Sequence, residues 1–244
     1  MAGSGMVLWR QIGETLIAEI ERGVLPADHR LPSSEALAAR FGVNRHTVLR
    51  AIGHLQAEGK VRIERGRGAY AVVNPLQYNL GPRRLFEQNL AEHNLVPSRT
   101  VLSVVECHAP GDVGEALQLP KGEQVILVTT LGEADGAPVN YGSHYIASSR
   151  LPGIGNLFRD FEGKERQQFS FLSLFNKCGV SEYRRKDVRI RSRIPSNDEA
   201  RYLNIPAVEH VLATLVVSVG PHNIPLTYAE TCFSSSRVEL RVGF

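Results

Sequence analysis

The chain has 244 residues, enough for one large domain or two modest ones, and its 43% hydrophobic and 22% charged residues are ordinary for a soluble protein. No apolar run reaches the roughly 20 residues that a membrane-spanning helix needs, and we find no charged-then-apolar secretory leader. The formal net charge of +3 lies in residues 1–73, which carry 10 Lys and Arg against 7 Asp and Glu, whereas residues 74–244 carry 18 of each. The basic excess is modest and is confined to the N-terminal part of the chain.

The three cysteines argue against two kinds of stabilising site. Cys107, Cys178 and Cys232 are odd in number and widely spaced, and no CxxC pair or Cys/His cluster is present. A disulfide framework and a structural zinc are therefore not expected. We expect free thiols, no metal site, no cofactor and a cytoplasmic location.

The first predicted element is an amphipathic helix over 7–22. Leucine or isoleucine recurs at every fourth position from Leu8 to Ile20, and Gly23 ends the pattern. We expect this helix to pack beneath the elements that follow.

The segment 31–73 predicts two helices, a tight turn and a β-hairpin. Ser33 is a plausible N-cap of the first helix, Gly42 ends it, and Asn44 caps the second helix. The inward face of the second helix carries apolar residues at helical spacing: Val48, Ala51, Ile52 and Leu55. Its outer, N-terminal part is polar and basic, as in the reading helix of a helix-turn-helix.

A short hairpin beside this helix predicts a wing. Residues 61–64 alternate as a half-buried strand, residues 69–73 form the partner, and Arg65-Gly66-Arg67-Gly68 is the turn between them. Taken singly, each arginine is more often a solvated surface charge, but the order of the features favours a winged helix-turn-helix. We expect the DNA-binding residues to be Ser33, Ser34, Asn44, Arg45, His46, Thr47, Arg50, Arg65, Gly66 and Arg67.

The stretch PSSEALAARFGVNRHTVLRAIGHLQAEGKV, followed by GRGAYAV, resembles the winged-helix domain of the GntR family of bacterial transcription regulators. Three positions depart from the family pattern: Ser34 replaces a usual glutamate, Asn44 a usual serine, and Leu49 a usual DNA-contacting arginine. Leu49 removes one expected base contact. Arg50 is an alternative for part of that role, and contact between Leu49 and a thymine methyl group is another.

Residues 74–84 are expected to form a linker, because two prolines and a glycine in Asn74–Pro82 interrupt both helix and strand. A helix is predicted from Arg83 to His93. Two arginines at a helix start are unfavourable for the helix dipole unless an anion lies there. The alternative is an exposed helix start with solvated arginines.

The remaining chain predicts an antiparallel sheet with helices. The expected strands lie at 100–107, 124–133, 139–147, 183–194, 210–219 and 226–233, and the expected helices at 112–119, 169–178 and 198–203. Residues 115–119 parallel 199–203, and a tyrosine follows three positions after Pro138 and again after Pro225. The helix-plus-hairpin unit thus occurs twice, which predicts a pseudo-symmetric α+β domain with helices on one side of its sheet.

This second half resembles the effector-binding domain of GntR regulators of the HutC type, whose fold is like that of chorismate lyase. The matching segments are HYIASSRLPGI, GVSEYRRKDVRIRSRIPSNDEARYLNIP and IPLTYAETCFSSSRVEL, and within the group the likeness is greatest to the phosphonate-utilisation regulators. Many such domains carry an Arg-x-Arg that holds an anionic ligand before the Asp-Gly turn. Here the stretch 129–133 reads TTLGE and has no arginine.

Spacing by two residues puts Tyr141, Ser143 and Tyr145 on one face of their strand, and Tyr228 and Glu230 on one face of theirs. Polar residues at such equivalent places in both repeats are expected to converge on one effector cleft. The resemblance to HutC-type domains points to His144 and Glu230 as well, and the helix predicted from Arg83 adds Arg83, Arg84 and Asn89. For any one of them, a satisfied surface side chain is the simpler interpretation. The arginines of strand 183–194 are a further candidate for nucleic acid or an acidic partner, although such residues more often pair with neighbouring strands.

No GxSxG, HExxH, P-loop or paired-carboxylate motif is present, so we expect no catalytic residues and no enzyme. An enzyme of chorismate-lyase-like fold is the less favoured alternative. The expected protein is a DNA-binding regulator, in domains 1–73 and 85–244, that is a repressor and a homodimer. It would be released from double-stranded operator DNA by a phosphonate- or phosphate-like effector. A sugar-phosphate or urocanate-like effector is the alternative.

Overall fold

The structure, a computed structural model, describes residues 4–21, 30–72 and 75–243. The chain forms two compact units, residues 1–74 and residues 75–244.

The first unit is a three-helix bundle with a hairpin. Its elements are α1 (Ser4–Glu21), α2 (Ser34–Phe41), α3 (Arg45–Ala57), β1 (Val61–Glu64) and β2 (Gly68–Ala71). β1 and β2 pair antiparallel, with Val61 opposite Ala71. The core contains three of the four α1 residues of the predicted pattern, together with the predicted inward face of α3: Ile12, Leu16, Ile20, Val48, Ala51, Ile52 and Leu55. Leu8, the first residue of that pattern, is 38% exposed and lies outside the core.

The ends of α2 and α3 are fixed by the residues that the sequence assigned to them. The Ser33 side chain accepts a hydrogen bond from the backbone N–H of Ala36, and the Asn44 side chain accepts one from that of Thr47. Gly42 ends α2 with φ of 63°, a left-handed conformation that glycine adopts without steric cost. The turn between the helices is therefore set by local sequence.

The second unit contains eight strands and five α-helices among its described residues. In chain order they are β3 (Leu76–Asn79), α4 (Phe86–Ala91), β4 (Pro97–His108), α5 (Gly111–Ala116), β5 (Gln124–Ala134), β6 (Ala137–Ile146), α6 (Ile154–Arg159), α7 (Phe171–Lys177), β7 (Arg184–Arg193), α8 (Asn197–Leu203), β8 (Val211–Val219), β9 (Pro225–Ser234) and β10 (Val238–Arg241). Short 3₁₀ turns lie at Ser148–Arg150 and Pro221–Asn223.

Six strands form one antiparallel sheet in the order β4-β5-β6-β9-β8-β7. The hairpins β5–β6 and β8–β9 meet at its centre, where Ser143 lies opposite Glu230. This arrangement confirms the predicted repeat. The two repeat helices, α5 and α8, pack on one face of the sheet, which we term face A.

The opposite face, face B, is also covered. Residues of α6 and α7 pack with Ile126, Val128 and Ile146 in a separate core cluster. The prediction of helices on one side of the sheet is therefore wrong. The repeat revealed α5 and α8 only, because α6 and α7 lie in the connection between the two copies and have no counterpart.

The predicted linker contains a strand. Residues Leu76–Asn79 pair in parallel with Val238–Arg241, so the prediction of an unstructured segment over 74–84 is corrected there. α4 begins at Phe86 rather than Arg83, because the Gln88 side chain accepts a hydrogen bond from the backbone N–H of Leu85. Arg83 and Arg84 thus precede the helix.

Candidate DNA interface and effector cavity

The predicted DNA-binding residues lie at the starts of α2 and α3 and in the hairpin turn. Arg45, His46 and Arg50 are exposed, and Thr47 is half-buried behind the Asn44 cap. Arg65 and Arg67 are exposed in the turn between β1 and β2, with Gly66 between them. The Ser33 side chain is engaged as the cap of α2.

Arg45 is positioned by the first turn of α2. Its Nε lies 3.0 Å from Ser34 Oγ, to which it donates, and 2.9 Å from Glu35 Oε1. The Arg45 side chain remains 61% exposed, so it stays accessible to an external acceptor. Ser34 stands where the family pattern has glutamate, and here it orients an arginine on the reading helix.

Arg50 and Arg67 have partners within the unit. The Arg50 guanidinium lies 5.1 Å from the centroid of the Trp9 ring, and Arg67 lies 3.8 Å from Glu64. Both contacts are at the surface, where such interactions are weak enough to be exchanged for a phosphate.

The second unit contains a cavity of about 90 Å³ on face B. Its floor is formed by the central strands, and α4, α7 and the segments around β3 and β7 form the rim. The polar lining includes Arg99, Asn140, His144, Arg185, Thr214 and Thr231, and the aromatic lining includes Phe86, Phe171 and Phe233.

Arg99 is the buried cation of this cavity. Only 10% of its side chain is exposed, and its guanidinium lies 4.3 Å from the Phe86 centroid and 5.2 Å from that of Phe171. Arg99 Nε donates to Glu87 Oε1 at 3.2 Å. Glu87 therefore occupies one side of a guanidinium whose other donors are available to a ligand.

Arg99 lies opposite Gly132 in the pairing of β4 with β5. A Cβ atom at position 132 would lie 2.7 Å from Asn140 Oδ1 and 3.0 Å from the Phe86 ring, so the close packing around the cavity requires glycine there. Arg99 thus brings a guanidinium to the part of the sheet where the sequence lacks the Arg-x-Arg of related domains.

His144 is an uncharged member of the cavity wall. Burial, and next the positive charge of Arg99, lower the pKa of His144 from 6.5 to about 3. Its Nε2 lies 3.1 Å from Thr130 Oγ1, and its ring centroid is 4.6 Å from that of Phe171. At neutral pH the imidazole can donate or accept a hydrogen bond without repelling Arg99.

Arg185 on β7 is held by backbone carbonyl groups. It donates to Gly81 O at 2.9 Å and also to Arg84 O. Two other basic residues of β7 form ion pairs instead: Arg189 lies 3.9 Å from Asp187, and Arg193 pairs with Glu199 and Glu230.

The structure separates the predicted effector residues into three places. Successive residues of a strand point to opposite faces, and directly paired residues share one. Face A therefore carries five of the candidates, whereas His144 lies on face B in the cavity. The five are Tyr141, Ser143, Tyr145, Tyr228 and Glu230. The expectation of one cleft for the whole set is corrected on this geometry.

The face-A residues have partners of their own. The rings of Tyr141 and Tyr202 stack at 5.4 Å, and those of Tyr145 and Tyr228 lie 6.4 Å apart. Glu230 accepts a hydrogen bond from Arg193 at 2.8 Å. These contacts tie α8 and the two hairpins together.

The remaining candidates are engaged in local structure. Arg83 pairs with Glu182 at 2.9 Å, and Arg84 pairs with Glu92. Asn89 is fully buried, where it accepts from Asn79 N and donates to the carbonyl groups of Asn79 and Leu85. The anion expected between the Arg83-Arg84 helix start and the repeat strands is not supported by this geometry, because both arginines pair with surface carboxylates and neither of them lines the face-B cavity.

One cluster has the donor atoms of a metal site. Ligand atoms of Glu199, Glu230 and Cys232 lie within 4.8 Å of one another. Arg193 donates to Glu199 at 2.7 and 2.8 Å, to Glu230 at 2.8 Å and to Cys232 Sγ at 3.2 Å. The guanidinium thus already provides the positive charge at the centre of the cluster.

Sequence reasoning missed Arg99, and it gave Arg185 a different role, as one of the arginines of strand 183–194 that are candidates for nucleic acid or an acidic partner. Both enter the cavity only through strand pairing that the sequence does not specify. One signal was present for Arg99, since it is a lone cation at the start of a strand with an apolar pattern.

Comparison with known proteins agrees with both halves of this description. Residues 8–71 match the family model described as bacterial regulatory proteins, gntR family, and residues 92–239 match the UTRA domain. The chain belongs to the GntR family. Its second unit is a UTRA domain of the HutC type, and the α+β winged-helix architecture is confirmed.

Several relatives of this GntR regulator match over nearly the whole chain. An uncharacterized HTH-type transcriptional regulator of Rhizobium meliloti is 30% identical, with 98% of this chain and 95% of that protein covered. The "Probable transcriptional regulator PhnF" of Escherichia coli is 31% identical over 91% of each chain. The crystal structure of PhnF from Mycobacterium smegmatis has the same fold, with a TM-score of 0.61, 18% identity, and 94% and 98% of the two chains covered.

These matches establish the functional class of the GntR protein. It is a DNA-binding transcription regulator with a small-molecule effector domain, and the matching proteins are regulators rather than enzymes. In the part of the chain that the structure describes, no helix is long and apolar enough to cross a membrane.

Proposed function

We propose that the protein is a homodimeric repressor that a small anion, a phosphonate or phosphate, releases from its operator by binding in the face-B cavity. Because its target is DNA, it acts in the cytoplasm. Proteins named as repressors occur among its relatives, including the histidine utilization repressor of Pseudomonas putida, which is 27% identical over 68% of this chain.

The observation that carries the effector proposal is the buried guanidinium of Arg99 in the cavity wall. A buried cation between aromatic side chains attracts an anion more strongly than an exposed one does. Neutral His144 and the hydroxyl groups of Thr214 and Thr231 add hydrogen-bonding groups around the same space.

The cavity size favours a compact ligand. The cavity volume of 90 Å³ is several times the cavity volume of roughly 10–15 Å³ that one water molecule needs. A phosphate or small phosphonate is therefore of suitable size for the space beside Arg99.

Exchange of carboxylate for ligand supplies a mechanism for release. An anion on Arg99 competes with Glu87, which lies on α4 shortly after β3, at the start of the second unit. Loss of the Glu87 contact removes one restraint on the first turn of α4, whose position also depends on buried Asn89. A ligand that binds better to the arrangement with α4 displaced shifts the dimer toward a state whose reading helices no longer match the operator.

The first prediction concerns Arg99. We expect Arg99→Gln to leave operator affinity within about threefold of wild type and to remove release by the anion, because the charge that holds the ligand is lost. Operator binding is measured by fluorescence anisotropy against a panel of phosphonates, phosphate, sugar phosphates and urocanate.

Arg84→Gln is the matched control, since Arg84 is paired with Glu92 at the surface. It should respond to the effector as wild type does. An Arg99→Gln protein that is still released at the wild-type effector concentration would place the effector elsewhere, and release by urocanate alone would overturn the assignment of a phosphonate or phosphate.

A further inference from the structure

Two large apolar side chains are exposed in the DNA-binding unit and converge on one groove. Leu49 on α3 is 44% exposed and Ile63 on β1 is 49% exposed. Both line an open groove whose floor includes the buried side chains of Leu31 and Ile52. Single exposed apolar residues are common, but two that meet on an apolar floor form a binding surface.

The groove is bordered by the elements that carry the proposed DNA contacts. Ser34 and Glu35, which hold Arg45, lie on one side of it, and Gly68 and Ala69 at the end of the wing turn lie on another. The wing turn between Ile63 and Gly68 carries exposed Arg65 and Arg67. Cations on both sides of an apolar strip complement a duplex, in which charged phosphates border a groove of base edges.

The chemistry of Leu49 determines which base feature fits. A leucine has no donor for the O6 and N7 atoms of guanine, which an arginine reads at such a position. The apolar group that a base presents in the major groove is the 5-methyl group of thymine. We propose that Leu49 and Ile63 receive a thymine methyl group, so that the protein reads a T·A pair by apolar contact there.

This inference rests on the proposed DNA interface at the start of α3. The probe is a DNA site that the full-length protein selects from a random duplex library. Each thymine of the selected site is then replaced, one at a time, by deoxyuridine, which removes the methyl group and leaves every hydrogen-bonding atom in place.

We expect at least one thymine in each half-site at which deoxyuridine weakens binding about fourfold, as for the loss of one buried methylene-sized group. Leu49→Ser should bind the thymine site more weakly and show no further loss with deoxyuridine. Leu49→Arg should change the preferred base at this position from thymine to guanine. Leu8→Ser is the matched control, because Leu8 is exposed on α1 outside the groove, and it should keep the deoxyuridine effect.

Two results would overturn the inference: no thymine whose methyl group matters, or an undiminished deoxyuridine effect in Leu49→Ser. The Arg45→Ala variant shows whether only the thymine-methyl inference is wrong or whether the proposed DNA interface at the start of α3 is wrong as well. If Arg45→Ala weakens binding to thymine and deoxyuridine sites alike while the methyl group has no effect, only the apolar reading is wrong. If neither Arg45→Ala nor Leu49→Ser changes affinity, the whole interface is wrong.

Discussion

His144 and Glu199 show how burial acts on single ionisable residues in this domain. Burial by itself disfavours the charged form of either group. At Glu199, hydrogen bonds from Arg193, Cys232 and the backbone of Ser196 outweigh burial and lower the pKa to about 2. At His144 burial and Arg99 act together, and the pKa falls to about 3. At neutral pH Glu199 is therefore held charged and His144 is held neutral.

The second prediction follows from His144. Its pKa is lower in the folded than in the unfolded chain, so the unfolded state binds more protons as the pH falls below 6.5. The contribution of neutral His144 to the unfolding free energy is therefore fully present above pH 6.5, and it is lost progressively as the pH falls toward 3. Between pH 7 and pH 5 we expect a loss on the order of 1–2 kcal/mol in unfolding free energy.

Urea unfolding of wild type and His144→Gln at several pH values measures this loss. Glutamine retains a hydrogen-bonding group near Thr130 and does not titrate, so the variant should show a flatter pH dependence over this range. Equal slopes for the two proteins would show that His144 is not the group responsible.

At the scale of elements, the caps of α2 and α3 fix the turn that presents Arg45. The third prediction is that Asn44→Ala lowers the unfolding free energy by about 1 kcal/mol, because the backbone N–H of Thr47 loses its acceptor. Asn44→Ser, which introduces the residue usual in the family, should retain most of the stability. Chemical denaturation measures both variants, and equal losses in the two would exclude capping as the cause.

Elements with local signals could be predicted from the sequence, and elements without them could not. The α2–α3 turn follows from Ser33, Gly42 and Asn44, which act within a few residues of their own positions. β3 was missed because its partner, β10, lies at the other end of the second unit. Nothing in the sequence of β3 identifies that partner.

The residues of the candidate DNA interface and of the effector cavity also differ in how far the sequence could predict them. Arg45 and Leu49 follow from helical spacing, whereas Arg99 enters the cavity only because β4 pairs with β5. Spacing by two residues correctly grouped Tyr141, Ser143 and Tyr145 on one face, and the pairing of β6 with β9 puts Tyr228 and Glu230 on that same face. His144 was added to this set from the family resemblance, and the alternation along β6 puts it on the opposite face.

At the scale of the whole molecule, the fourth prediction is a dimer whose contacts lie mainly in residues 75–244. A two-fold protein matches a palindromic operator, with each reading helix on one half-site. Sedimentation of the full-length chain at low micromolar concentration should give the mass of two copies. A chain that sediments as a monomer of 26.9 kDa at this concentration, and binds a half-site as tightly as a full site, would contradict the proposal.

The pairing of β3 with β10 also bears on how the protein is made. β3 is the first and β10 the last described strand of the second unit, so their ladder forms only after residues 76–241 have left the ribosome. The described core cluster of the DNA-binding unit is formed by residues between Trp9 and Ala71, so this unit can fold before β10 is made. During synthesis, the DNA-binding unit can therefore be folded before the second unit, which binds the effector, is complete. A stop codon before Val238 would remove β10 and leave the backbone hydrogen-bonding groups of β3 unpaired. The truncated product would keep a folded DNA-binding unit and lose this part of the effector domain.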